Sequence, residues 1–130
     1  MSRKLTCVAT LCLLVAMAGS AGAQQGKVLF EYWDNIGGGT AVSDLTGNAL
    51  YPDSPTSSEW RSSFQSPANR ADNYGVRARA YLTPPETGDY TFWVAGDDYC
   101  QLWLSTDSDP ANATMIAQVA GWTGVAEWGK

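Results

Sequence analysis

Two aspartates stand side by side, Asp97 and Asp98, between two short apolar runs. Adjacent carboxylates repel each other and are kept more easily where a cation sits with them. Hard oxygen donors of this kind suit Ca²⁺. A second acidic stretch, Asp107-Ser108-Asp109-Pro110, has the Asp-x-Asp spacing of some calcium loops. It lacks the glycine and the distant glutamate of an EF-hand, and Pro110 interrupts it, so it reads as a turn. The six tryptophans, Trp33, Trp60, Trp93, Trp103, Trp122 and Trp128, could each offer a flat apolar platform to a sugar ring. Core packing is their default use in a small domain.

Catalysis has little to work with. The chain has no histidine, so nothing of that kind can activate Cys100 as a nucleophile. Glycosidases need two carboxyl groups about 5–9.5 Å apart across the scissile bond, and adjacent aspartates are not set that way. Gly37-Gly38-Gly39 is followed by no Gly-Lys-Ser/Thr, so a phosphate-cradling loop is discounted. The chain is read as non-catalytic.

The elements that must hold Asp97 and Asp98 alternate with a period of two, which predicts strands. Asp89 to Ala95 sets Tyr90, Phe92 and Val94 against Thr91 and Trp93. Gln101 to Ser105 sets Leu102 and Leu104 against Trp103. Val28 to Trp33, Tyr74 to Leu82 and Met115 to Val119 read as further strands. On the Tyr74 strand, Arg77 and Arg79 share a face and are expected to be solvated or to pair with acids on a neighbouring strand. Helical turns are expected near Val42 and Leu45, and around Trp60 and Phe64, whose spacing of four would bring both to the core. Prolines, glycines and serines between these runs read as turns and loops.

The first residues look like a targeting segment. Arg3 and Lys4 precede an apolar run from Leu5 to Ala18, too short to span a bilayer, and Ala21-Gly22-Ala23 is a small-x-small cleavage signal. Residues 1–23 are therefore expected to be a signal peptide, and 24–130 a single secreted domain that is not an integral membrane protein. The net charge is −5, and loss of Arg3 and Lys4 makes the remainder more acidic still. Such a surface disfavours nucleic acid and anionic membrane and suits cations or neutral ligands. Cys7 and Cys12 would leave with the signal. Cys100 then has no intrachain partner and reads as a small buried hydrophobe.

Several of these pieces, in order, resemble the PA14 family of secreted β-sandwich modules found in adhesins, glycosidases and bacterial surface proteins. The matching residues are Arg77-Ala78-Arg79-Ala80-Tyr81-Leu82, the turn Pro84-Pro85-Glu86-Thr87-Gly88, Tyr90-Thr91-Phe92, the Asp97-Asp98 pair and Leu102-Trp103-Leu104. The resemblance implies an all-β, antiparallel sandwich, here short of the family's last strands. It implies a carbohydrate-binding or adhesion role. In the calcium-dependent lectins of the family, two such aspartates joined by a cis peptide hold Ca²⁺, and the ion with its carboxylates binds sugar hydroxyls. Carried onto this chain, the metal and ligand residues are Asp97 and Asp98, and the partner is a cell-surface glycan. Trp122, in the loop nearest the acidic turn by that likeness, is the tryptophan expected to touch ligand. The other ligands in those lectins come from a later loop with an asparagine. Here that loop, Gly121 to Lys130, offers no asparagine and one acid, Glu127. The alternative is a structural or protein-interaction domain, a fragment of a larger extracellular protein.

Overall fold

The structure is a computed structural model that describes residues 26–129. The expected signal peptide, 1–23, lies outside the described residues. Strand β1 (Val28–Asp34) lies between β2 (Ser57–Arg61) and β3 (Tyr74–Arg79) in one antiparallel sheet. Strands β4 (Cys100–Leu104) and β5 (Thr114–Val119) form a separate antiparallel ribbon. Among the described residues only α1 (Val42–Thr46) and a 3₁₀ turn at Pro110–Asn112 are helical. The chain is thus all-β, with the antiparallel sheets and the near absence of helix that a PA14-like fold calls for.

Strand β1 is covered on both faces, which explains why its sequence, VLFEYWD, is almost continuously apolar. On one face Val28, Phe30 and Tyr32 form the core, with Tyr74 packed beside them. The Arg70 guanidinium lies 3.9 Å from the Tyr32 ring centroid and pairs with both carboxylate oxygens of Asp34. The Tyr32 hydroxyl donates to Glu59 at 2.7 Å. Burial and that carboxylate push its pKa up to about 12.

On the other face, Trp33 is fully buried and its indole N–H donates to the Leu50 carbonyl at 3.1 Å. Helix α1 places Leu45 against Gly75, opposite Trp33 in the sheet. A Cβ at Gly75 would come within 2.7 Å of the Leu45 side chain, so this close approach requires glycine. Between these groups sits Glu31, 6% exposed. Arg77 grips its carboxylate at 2.9 and 3.2 Å, and Arg79 grips it at 2.9 Å twice. Arg77 also donates to the Pro52 carbonyl at 3.0 Å and lies over the Trp33 and Tyr51 rings. The expectation of cross-strand acid pairing for Arg77 and Arg79 is met: Glu31 is the direct neighbour of Arg77 in the ladder.

Two expected elements differ. Residues 58–64 were expected to make a helical turn, but Ser57–Arg61 is strand β2, and Trp60 and Phe64 are exposed. Spacing of four was outweighed by an available edge of β1, which supplies a full ladder of backbone partners. Asp89 to Ala95 keeps half of its alternation, with Phe92 and Val94 half-buried and Trp93 exposed, yet joins no ladder. Alternation decides which way side chains point; a strand also needs a neighbour for its N–H and C=O groups, and no described segment provides one. Strand β3 ends at Arg79, short of Leu82. The Tyr90 hydroxyl donates to the Glu86 carbonyl at 2.6 Å and closes the intervening turn.

Burial by itself would raise the Glu31 pKa, but the hydrogen bonds and charges of Arg77 and Arg79 outweigh it and hold it below the ordinary value of 4.5. Glu31→Gln is expected to cost about 3 kcal/mol at neutral pH, because it leaves two guanidinium groups facing a neutral partner. A folded-state pKa below the unfolded one means that this stability is complete above the unfolded value and is lost as pH falls through the folded one. Thermal melts of both proteins should therefore show a large gap in Tm at pH 7 that narrows as pH falls below 4.5.

Candidate functional site

The acidic turn is built from Gly96, Asp97, Asp98 and Tyr99, directly before β4. It is pinned by one residue far along the chain. The Gly96 N–H donates to the Thr123 hydroxyl oxygen at 2.9 Å. The Thr123 N–H donates to the Gly96 carbonyl at 2.8 Å, and the Thr123 hydroxyl donates to that same carbonyl at 3.2 Å. A hydroxyl can do this because it is donor and acceptor at once. Thr123 is 4% exposed, so these bonds are shielded from water.

The turn also depends on the absence of a side chain. A Cβ on Gly96 would lie 2.6 Å from Cys100 Sγ and 2.7 Å from the Asp98 carbonyl oxygen. Cys100 is half-buried and burial pushes its thiol pKa up, as suits a packing residue rather than a nucleophile. The Asp97–Asp98 peptide bond is cis, as the resemblance implies. Asp97 is exposed and Asp98 half-buried.

Of the residues singled out from the sequence, Asp97 and Asp98 share this turn. Trp122 adjoins Thr123 in the chain and is 52% exposed. The loop that follows is closed on itself, since Glu127 accepts the Gly124 N–H at 2.7 Å. Among the described residues no three His, Cys, Asp or Glu side chains come together as a metal group. Two aspartates match Ca²⁺ in charge and hardness, but supply at most about four of the 6–8 oxygens it takes. The rest would have to be carbonyls, waters or ligand hydroxyls.

The second acidic stretch is a self-contained turn, as its sequence suggests. Asp107 accepts the Asp109 N–H at 2.8 Å, the Ser105 hydroxyl at 3.1 Å and the Asn112 amide at 2.9 Å. The Asp109 backbone bond is first among the causes that hold the Asp107 pKa low. Asp109 in turn accepts the Ala111 N–H at 2.9 Å.

Thr123 was not legible in the sequence as a site residue. A lone hydroxyl beside a tryptophan has no pattern, and its role depends on a contact between segments 27 residues apart. Thr123→Val keeps the shape and the backbone donor but loses the hydroxyl. It leaves the half-buried Gly96 N–H without its hydroxyl acceptor, at a cost of about 1–2 kcal/mol. Hydrogen exchange should show the Gly96 amide losing protection in the variant while amides of β1 keep theirs.

The PA14 domain family matches the chain over residues 43–108. A mouse protein, N-acetyl-beta-glucosaminyl-glycoprotein 4-beta-N-acetylgalactosaminyltransferase 1, is 39% identical over 101 residues, which is 77% of this chain and 9% of that protein. Dog fibrocystin is 31% identical over 55 residues, which is 42% of this chain and 1% of that protein. Mouse fibrocystin is 29% identical over the same length. The chain thus spans a small part of each of these relatives. No solved structure matches it. The matched span takes in α1 after its first residue, strands β2 to β4 and the Asp97-Asp98 turn. The chain belongs to the PA14 domain family.

Proposed function

We propose that this chain is a secreted, non-catalytic carbohydrate-binding module whose ligand site is the Asp97-Asp98 turn. Two carboxylates on adjacent residues, fixed by the Gly96–Thr123 clasp, carry the reading. Ca²⁺ would be held by Asp97 and Asp98 and completed by backbone carbonyls, water and the vicinal hydroxyls of a cell-surface glycan. Such an ion would bind weakly without sugar, because the protein supplies few of its oxygens. Trp122, exposed beside the clasp, would offer its ring to the same ligand. The name of the mouse relative places a related segment within a protein that acts on glycoprotein glycans. Secretion agrees with the amino-terminal targeting pattern, and no helix among the described residues is long and apolar enough to cross a membrane.

One observation favours a second reading. No third acidic, histidine or cysteine side chain joins Asp97 and Asp98 among the described residues. In that reading the turn is structural, and the domain serves protein interaction without metal or sugar.

Thermal melting of the full chain with excess Ca²⁺ and with chelator separates the two. Ca²⁺ at about 100 times its Kd adds roughly 2.7 kcal/mol, a shift of several degrees for a domain of this size. The expected result is a rise in Tm with Ca²⁺, no response in Asp97→Asn/Asp98→Asn, and glycan-array binding that Ca²⁺ strengthens in the native protein but not in that double variant. A cooperative melt indifferent to Ca²⁺, with no array binding, would favour the interaction domain.

A further inference from the structure

The β4–β5 ribbon has an outer face that the acidic turn does not use. In the ladder Gln101 lies opposite Gln118, and Trp103 lies opposite Met115. Residues directly opposite each other in an antiparallel pair share a face. Gln101, Trp103, Gln118 and Met115 are all exposed, whereas Leu102, Leu104, Ala117 and Val119 on the other side are half-buried. Trp103 is 55% exposed. Its indole N–H donates to the Gln101 side-chain oxygen at 3.1 Å, which fixes the ring's orientation on the ribbon before any ligand arrives. A register shift between Leu102 and Trp103 falls at this point in the ladder. Bulges of this kind re-aim a side chain.

We propose that this face is a second, metal-independent site for a neutral oligosaccharide. Trp103 would stack against the C–H face of a sugar ring, and Gln101 and Gln118 would meet its hydroxyls. The chemistry selects that occupant. A carboxamide both donates and accepts, as a sugar hydroxyl does. The face carries no charge, while acids stand at both ends of β4: Asp97 and Asp98 before it, Asp107 and Asp109 after it. That frame repels nucleic acid and anionic lipid, and two copies of the chain docking here would bring like charges together. A neutral polyol meets none of these penalties. A ring held in place beforehand also loses less freedom on binding.

The test is titration of the purified full-length protein with neutral hexasaccharides, cello-, chito-, xylo- and mannohexaose, in excess EDTA, followed by calorimetry and tryptophan fluorescence. At least one should bind. Trp103→Ala should weaken that binding tenfold or more and Gln118→Ala by a smaller factor, while Trp103→Phe keeps part of it. Trp93→Ala, which removes a comparably exposed ring outside the ribbon, should leave it unchanged. Melting curves confirm that the surface variants fold. No binding in EDTA, binding indifferent to Trp103→Ala, or self-association in sedimentation that Trp103→Ala abolishes would each overturn the proposal. Sugar binding that appears only with Ca²⁺ would overturn it too, while upholding the acidic-turn site.

Discussion

A carboxylate on the central strand of a sheet has to be neutralised where it stands, and Glu31 organises the β1 sheet around that need. Two arginines from β3 meet it, one straight across the ladder and one diagonally. A one-residue slip of β3 would carry both guanidinium groups to the opposite face and leave Glu31 buried alone. The ion cluster therefore fixes register as much as it stabilises. Arg77 extends the constraint, since it also reaches the Pro52 carbonyl and lies over Tyr51. The long connection from α1 to β2 is tied down through the same side chain that sets the pairing of β1 with β3.

The ribbon is organised differently. The turn before it is pinned by backbone and hydroxyl groups rather than by an ion cluster. The distinction suits a site for a cation. Neighbouring guanidinium groups would neutralise Asp97 and Asp98 and work against the metal proposed for them. Neutral dipoles hold the turn in place without adding a charge beside the carboxylates. The cost is that Thr123 holds much on one hydroxyl, and that Gly96 cannot take any side chain.

Much of this was legible in the sequence, for identifiable reasons. Strands β1, β3, β4 and β5 could be read because each carries a run of alternating or continuous apolar residues. The Asp97-Asp98 turn could be read because glycine and paired acids between two apolar runs form a local signal. The failures all concern partners. Trp60 and Phe64 have helical spacing, but β1 had an open edge to offer to Ser57–Arg61. Asp89 to Ala95 has strand alternation, but no neighbour among the described residues. The Thr123 clasp and the choice of Glu31 as the arginines' partner depend on segments far apart in the chain, which periodicity cannot join. Charge suggested that Arg77 and Arg79 would find an acid; only the ladder says which.

The two proposed ligand surfaces lie at the start of β4 and on its outer face, and their separation shapes what they could recognise together. Asp98 and Trp103 are five residues apart in the chain, a separation of at most about 17 Å. An oligosaccharide of several sugars can span that distance; a monosaccharide cannot. The turn is acidic and is proposed to act through a cation, so its grip would vary with Ca²⁺. The ribbon face is uncharged, so its grip does not, and salt would screen little of it. Each alone would be weak, since one supplies few metal ligands and the other is a single ring with two amides. Held in one short segment, the second contact would become intramolecular, and a long glycan would gain affinity that neither proposed site has by itself. In these proposals length selectivity would follow from spacing, and Ca²⁺ would set how strongly it is expressed.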